Sequence, residues 1–119
     1  FRSSPIQQII HIMAFVSVEI QGKGILLSNS APEGLRTQLQ EELSKTLGCT
    51  ITIPFAFNSN DKVWVCRTKD AIWGSNVLGS VNTVAEIQRI FTQQDFALNG
   101  TVSTSEGYPV LMFSGPIEA

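Results

Sequence analysis

The stretch Ser30–Gly48, SAPEGLRTQLQEELSKTLG, decides how this chain is read. Leu35, Leu39, Leu43 and Leu47 recur every four residues, which sets one apolar stripe along a helix, while charged and polar side chains occupy the other faces. Ser30 and Glu33 have the S-x-x-E spacing of a capping box, Pro32 fits the first turn, and Gly48 stands where a left-handed residue ends a helix. A helix with one leucine stripe must bury it, and the flanking sequence supplies the partner.

On both sides the period changes from about 3.6 to two. In FVSVEI, Val16, Val18 and Ile20 alternate with polar positions, and after GKG comes ILLS, so the pair predicts a hairpin that uses Gly22 or Gly24 at positive φ. In CTITIPFAF, the residues Cys49, Ile51, Ile53, Phe55 and Phe57 share one face. Pro54 cannot donate to a ladder, which places that strand at an edge or at a bulge. NSND then leads into KVWVCR, and a four-residue turn over 58–61 pairs Phe57 with Lys62, Phe55 with Trp64 and Ile53 with Cys66. Trp64 and Cys66 join the apolar face in this register, and Arg67 and Lys69 fall opposite with Val63 and Val65.

A second box at Thr83 and Glu86, with Val84, Ile87, Ile90 and Phe91 on one side, predicts a shorter helix starting at Thr83. Asn99–Gly100 and Gly107 read as turns, with a strand at Val110–Phe113 and a weaker one at 101–105. The order predicts an α+β fold: an antiparallel sheet with two helices on one face, in a β-α-β-β-α-β arrangement that resembles ferredoxin-like domains, with an added hairpin. That architecture hosts many functions and selects none.

The chain has 119 residues, 43% apolar and 15% charged, which suits a single domain over 13–119. Residues 1–12, FRSSPIQQIIHI, contain no acid and read as a leader ahead of Met13 or as a short element docked on the domain. Gln7, Gln8 and His11 interrupt the stretch too much for a secretory signal. No apolar run reaches the roughly 20 residues that cross a bilayer. Ten acids against eight bases give a net charge of −2, so no global field favours nucleic acid.

Catalytic chemistry finds little to work with. The sole histidine, His11, lies in the leader, so a domain starting at Met13 has none for Cys-His, Ser-His or histidine-rich metal arrangements. Cys49 and Cys66 form no C-x-x-C pair, and the register above separates them by roughly 13 Å along the hairpin, too far for a disulfide. Two reduced, buried thiols and no secretory signal suggest a cytoplasmic protein, and Asn99-Gly100-Thr101 then reads as a turn rather than a glycosylation site. Gly74 and Gly79 have phosphate-loop spacing, but Ser80 and Val81 replace the lysine and hydroxyl that such a loop needs. The expectation is therefore no catalytic residue, no cofactor and no metal.

The leading reading is a small non-enzymatic binding or regulatory module that takes a protein partner or a second copy. Phe15, Ala56, Val63 and Val65 point away from the helix side and make the sheet's open face a candidate for homodimerisation. The alternative is a small anionic ligand at the 74–83 loop and the helix start, with Trp73, Gly74, Ser75, Asn76 and Ser80 as contacts and Arg67 and Lys69 as neighbouring cations. Nucleic-acid binding by Lys62, Arg67 and Lys69 is disfavoured, because those cations and the Trp64 ring diverge to opposite faces.

Overall fold

A computed structural model describes residues 13–74 and 77–116. The leader 1–12, with His11, lies outside the described residues. In chain order the elements are β1 (Met13–Gln21), β2 (Gly24–Ser28), α1 (Glu33–Lys45), β3 (Ile51–Asn58), β4 (Val63–Thr68), α2 (Val77–Gln93), β5 (Ala97–Ser103) and β6 (Pro109–Pro116). All six strands form one antiparallel sheet in the order β3-β4-β2-β1-β6-β5. The run from β2 to β5 keeps the β-α-β-β-α-β order, with β4 lying between β2 and β3, while β1 and β6 are inserted between β2 and β5.

Both helices cover the same face. Val16, Val18, Ile20, Ile25 and Leu27 from the sheet meet Leu35, Leu39 and Leu43 of α1 and Ile87, Ile90 and Phe91 of α2 in one buried cluster. Phe91 stacks on Phe113 at 4.0 Å between ring centroids and meets Phe96 edge-on at 5.7 Å. Alternation in β1 thus has the consequence expected of a half-buried strand: even-numbered residues enter the core, and odd-numbered ones stay outside.

The helix boundaries differ from the sequence expectation. Helix α1 has Pro32 as its N-cap, with no side-chain cap bond. The Ser30 hydroxyl instead donates to the Phe15 carbonyl, tying the loop to β1, so the capping box does not form. At the other end Gly48 takes φ +67°, and the Cys49 N–H reaches the Leu43 carbonyl at 3.1 Å. Helix α2 begins at Val77, six residues ahead of Thr83. Thr83 lies inside it, its hydroxyl donating back to the Gly79 carbonyl at 3.0 Å and across to the Ile72 carbonyl at 2.9 Å.

Four further corrections concern the strands and their turns. The β3–β4 register is Phe57↔Trp64 and Asn58↔Val63, two residues away from the expected one. Asn58 Oδ1 accepts the N–H groups of Asn60 and Asp61 at 3.0 and 3.2 Å, and Lys62 adopts φ 58°, so the turn occupies 59–62. Register shifts on both sides of Ile53 flank Pro54 and turn Ile53 onto the Arg67 face, where it is 50% exposed. Asn99–Gly100 is no turn: both lie in β5, at a register shift between Leu98 and Gly100, and the chain reverses over 104–108 with Gly107 at φ 87°. Neither Gly22 nor Gly24 has positive φ, but an added Cβ on Gly24 would lie 2.7 Å from the Cys66 carbonyl oxygen. Close approach of β4 to β2, rather than turn geometry, requires glycine there.

Candidate functional site

The face of the sheet opposite the helices is the largest feature not accounted for by the core. One row across it runs Ala56, Val65, Leu26, Glu19, Val110 and Val102 from β3 to β5. A second row carries Asn58, Val63 and Ser28, and Ser17 lies beside Met112. Phe15 pairs with Ser114, and Met13 pairs with Pro116. Phe15 is 69% exposed, Val102 52% and Met13 44%, and no described helix lies over them.

Among the described residues, two ionic side chains stand on these outward strand positions, Glu19 and Arg67, and Gln21 joins them. Arg67 Nη1 donates to Gln21 Oε1 at 2.7 Å, and Gln21 Nε2 donates to Glu19 Oε2 at 2.8 Å. The polar strip therefore satisfies part of its own hydrogen bonding, which lowers the penalty for excluding water from the apolar rows beside it.

The residues expected around the 74–83 loop are placed differently. Trp73 is half-buried, packs against the core cluster and donates its N–H to the Gly22 carbonyl at 3.4 Å. Gly74 is exposed, and its N–H bonds the Ser80 hydroxyl at 3.3 Å. Ser80 is 6% exposed, inside α2. Ser75 and Asn76 lie outside the described residues. The structure thus brings Trp73, Gly74 and Ser80 together as a brace between α2 and the β1–β2 turn. Arg67 stands on the open face, and Lys69 is exposed beyond β4, with its N–H on the Thr50 carbonyl at 2.9 Å.

On the helix side, the Arg36 guanidinium lies 3.6 Å above the Trp64 ring, and Phe57 meets that ring at 5.1 Å. The Trp64 indole N–H is buried with no hydrogen-bond acceptor among the described residues. Trp64 and Arg67 do point to opposite faces, so no stacking platform with adjacent cations forms around this strand.

Cys49 and Cys66 are buried free thiols. Burial pushes the Cys66 thiol up to about 11, Cys49 adds to the rise, and the Arg67 cation opposes it. Burial, with Asp70 behind it, raises Cys49 as well. Both are thereby poor nucleophiles. Among the described residues no group of three or more His, Cys, Asp or Glu side chains is placed to hold a metal, and no helix is long and apolar enough to cross a membrane. A cleft of about 330 Å³ between the helices, lined by Asn82, Glu86 and Arg89, is closed electrostatically by the pairing of Arg89 with Glu86 and, at 2.9 Å, with Glu42.

Sequence reasoning did not place Gln21 beside Arg67 and read Gly24 only as a turn residue. Their importance arises from β2 lying between β1 and β4, an adjacency that no local pattern reports.

No protein-family profile and no curated protein matches this chain. Its fold is similar to the crystal structure of a conserved kinetoplastid-specific protein from Trypanosoma cruzi, with a TM-score of 0.59 at 13% identity, covering 91% of this chain and 99% of that one. At that identity the likeness is one of fold. The class, an α+β domain with one helix-covered and one open sheet face, follows from the arrangement of the chain's own elements.

Proposed function

We propose that this protein is a small non-enzymatic binding module that self-associates by packing the open sheet face against the same face of a second copy. The observation that carries this reading is the exposure of Met13, Phe15 and Val102 on a face whose remaining outward residues are mostly apolar or uncharged. A flat apolar face is complementary to itself under a two-fold rotation. Six strands about 4.8 Å apart, some five residues deep at about 3.3 Å each, span on the order of 500 Å² of flat area. Side-chain relief enlarges that area toward the roughly 800 Å² per partner of a standard interface.

Sedimentation equilibrium over a dilution series tests the proposal. The expected result is a weight-average mass that rises with concentration from 13.0 kDa toward twice that value. A mass fixed at 13.0 kDa up to millimolar protein would refute it.

The alternative reading, a small anionic ligand at the 74–83 loop and helix start, draws on a segment that is largely helical. Residues 77–83 are helical, and the Ser80 hydroxyl is engaged with Gly74. What favours an anion site elsewhere is the placement of Arg67.

A further inference from the structure

Arg67 is the most constrained cation on the open face. Gly24 pairs with Arg67 on one side and Gln21 on the other. An added Cβ on Gly24 would come within 3.0 Å of Arg67 Nη1 and 3.1 Å of its Cδ. The arginine side chain therefore lies across β2 in the space left by the missing methyl, and its Nη1 is fixed by Gln21 Oε1 at 2.7 Å. A guanidinium carries five N–H donors in a rigid fork. Among the described residues, this single bond is the one Arg67 makes through them.

Two more cations arrive at the same end of the sheet. Lys23 immediately precedes Gly24, and its carbonyl accepts the Thr68 N–H at 3.0 Å. Lys69 follows Thr68, and both lysines are exposed. Three of the chain's eight basic residues thus fall at one end of the sheet, Arg67 on β4, Lys69 just past it and Lys23 in the β1–β2 turn, although the net charge is −2. The ion pairs found among the described residues all belong to Arg89, so none of the three is paired there. Two acids lie nearby: Glu19, which Gln21 separates from Arg67, and the exposed Asp70, which follows Lys69 in the chain. The Tyr108 hydroxyl approaches the adjoining Gly22, 4.0 Å from where a Cβ would be.

The geometry points to a binding site for the phosphoryl group of a small soluble ligand, with Arg67 as the oriented fork and Lys23 and Lys69 as flanking charges. Two oxygens of a phosphoryl group match the fork of a guanidinium. A terminal phosphoryl carries close to two negative charges at neutral pH, against one for a carboxylate, which suits three unpaired cations. The site lies at the Arg67 end of the face, and Phe15 lies six residues away along β1, so it does not rest on self-association.

The probe is inorganic pyrophosphate, titrated into ¹⁵N-labelled protein and followed by ¹H–¹⁵N NMR, with potassium chloride at matched ionic strength as reference. Saturable shifts at Gly24, Arg67 and Lys69 are expected, with at least tenfold weaker binding in Arg67→Gln and a severalfold loss in Lys69→Gln. The same titration on Phe15→Ser should give the wild-type affinity, which separates this site from the dimer proposal. Shifts reproduced by potassium chloride, shifts centred elsewhere, or an unchanged affinity in folded Arg67→Gln would each overturn the inference. Vesicles of phosphatidylcholine with phosphatidic acid form the second arm. Capture by them without a response to pyrophosphate would assign the cations to a lipid surface and overturn the small-ligand site.

Discussion

Replacing Phe15 with serine separates the sheet face from the fold. The Phe15 ring is 69% exposed on the open side of β1 and lies outside the buried cluster. Burying a phenylalanine side chain is worth about 1.5–3 kcal/mol. A two-fold interface contains the residue twice, so Phe15→Ser should weaken a dimer by about 3–6 kcal/mol, or roughly 10²–10⁴-fold in Kd at about 1.4 kcal/mol per decade. The monomer should barely respond. Its loss is confined to strand preference, below about 1 kcal/mol, which moves Tm by only a few degrees, about 4 °C at most. Sedimentation equilibrium reads the first quantity and a thermal melt by circular dichroism the second. Val81→Ser supplies the control, because Val81 is 56% exposed but belongs to α2, on the other side of the sheet. A change of less than about fivefold in Kd, or an equal effect from Val81→Ser, would refute the assignment of the interface to this face.

Three other substitutions probe the frame that carries the face. A Cβ on Gly115 would lie 2.6–2.9 Å from three ring carbons of the buried Phe96, so Gly115→Ala should cost about 1–3 kcal/mol by overpacking, more than the roughly 0.4–1 kcal/mol gained from a stiffer unfolded chain. Urea melts should show the loss, and Phe96→Leu in the same chain should recover part of it; a neutral Gly115→Ala would contradict the packing. Because the Cys66 thiol is pushed from 9.0 up to about 11, the unfolded chain ionises it first as pH rises. Stability should therefore be unaffected by this group below about pH 9 and fall by on the order of 2–3 kcal/mol between pH 9 and 11, a slope that Cys66→Val removes. Identical pH slopes for the two proteins would exclude the effect. Thr83→Val deletes the bond to the Ile72 carbonyl and should cost about 1 kcal/mol, with faster amide exchange at Ile72 and Trp73, whose N–H groups bond the Gly22 carbonyl. Unchanged exchange would show that the brace does not depend on this hydroxyl.

The legibility of this fold in its sequence follows from which interactions are local. The leucines of α1 and the alternation in β1 bury their own sides of one element, so period alone places them. Alternation even tolerates error: a two-residue slip in the β3–β4 register moves every pair yet leaves Trp64 and Cys66 on the core side, because two residues is one full strand period. The bulges around Pro54 break that protection, which is why Ile53 changed faces. Hydroxyl and turn residues misled for a different reason. Ser30 and Thr83 have local uses as caps, but the bonds they make reach Phe15 and Ile72. Asn99–Gly100 is an equally good turn or bulge in isolation, and only pairing of Gly100 with Met112 chooses the bulge.

The same distinction governs the two proposed surfaces. An open apolar face follows from alternation, so its outline was visible before any strand had a neighbour. The Arg67 site depends on strand order: β2 has to separate β1 from β4, and only then does a glycine on β2 let an arginine on β4 reach a glutamine on β1. Had β1 paired directly with β4, Gly24 would be a turn residue and Arg67 one more solvated cation. Phe15 lies near the start of β1 and Arg67 reaches across to Gln21 at its end, so a substitution at either one should alter its own surface and leave the other standing. The proposed self-association and the proposed anion binding are therefore separable on one sheet face, and loss of one should leave the other measurable.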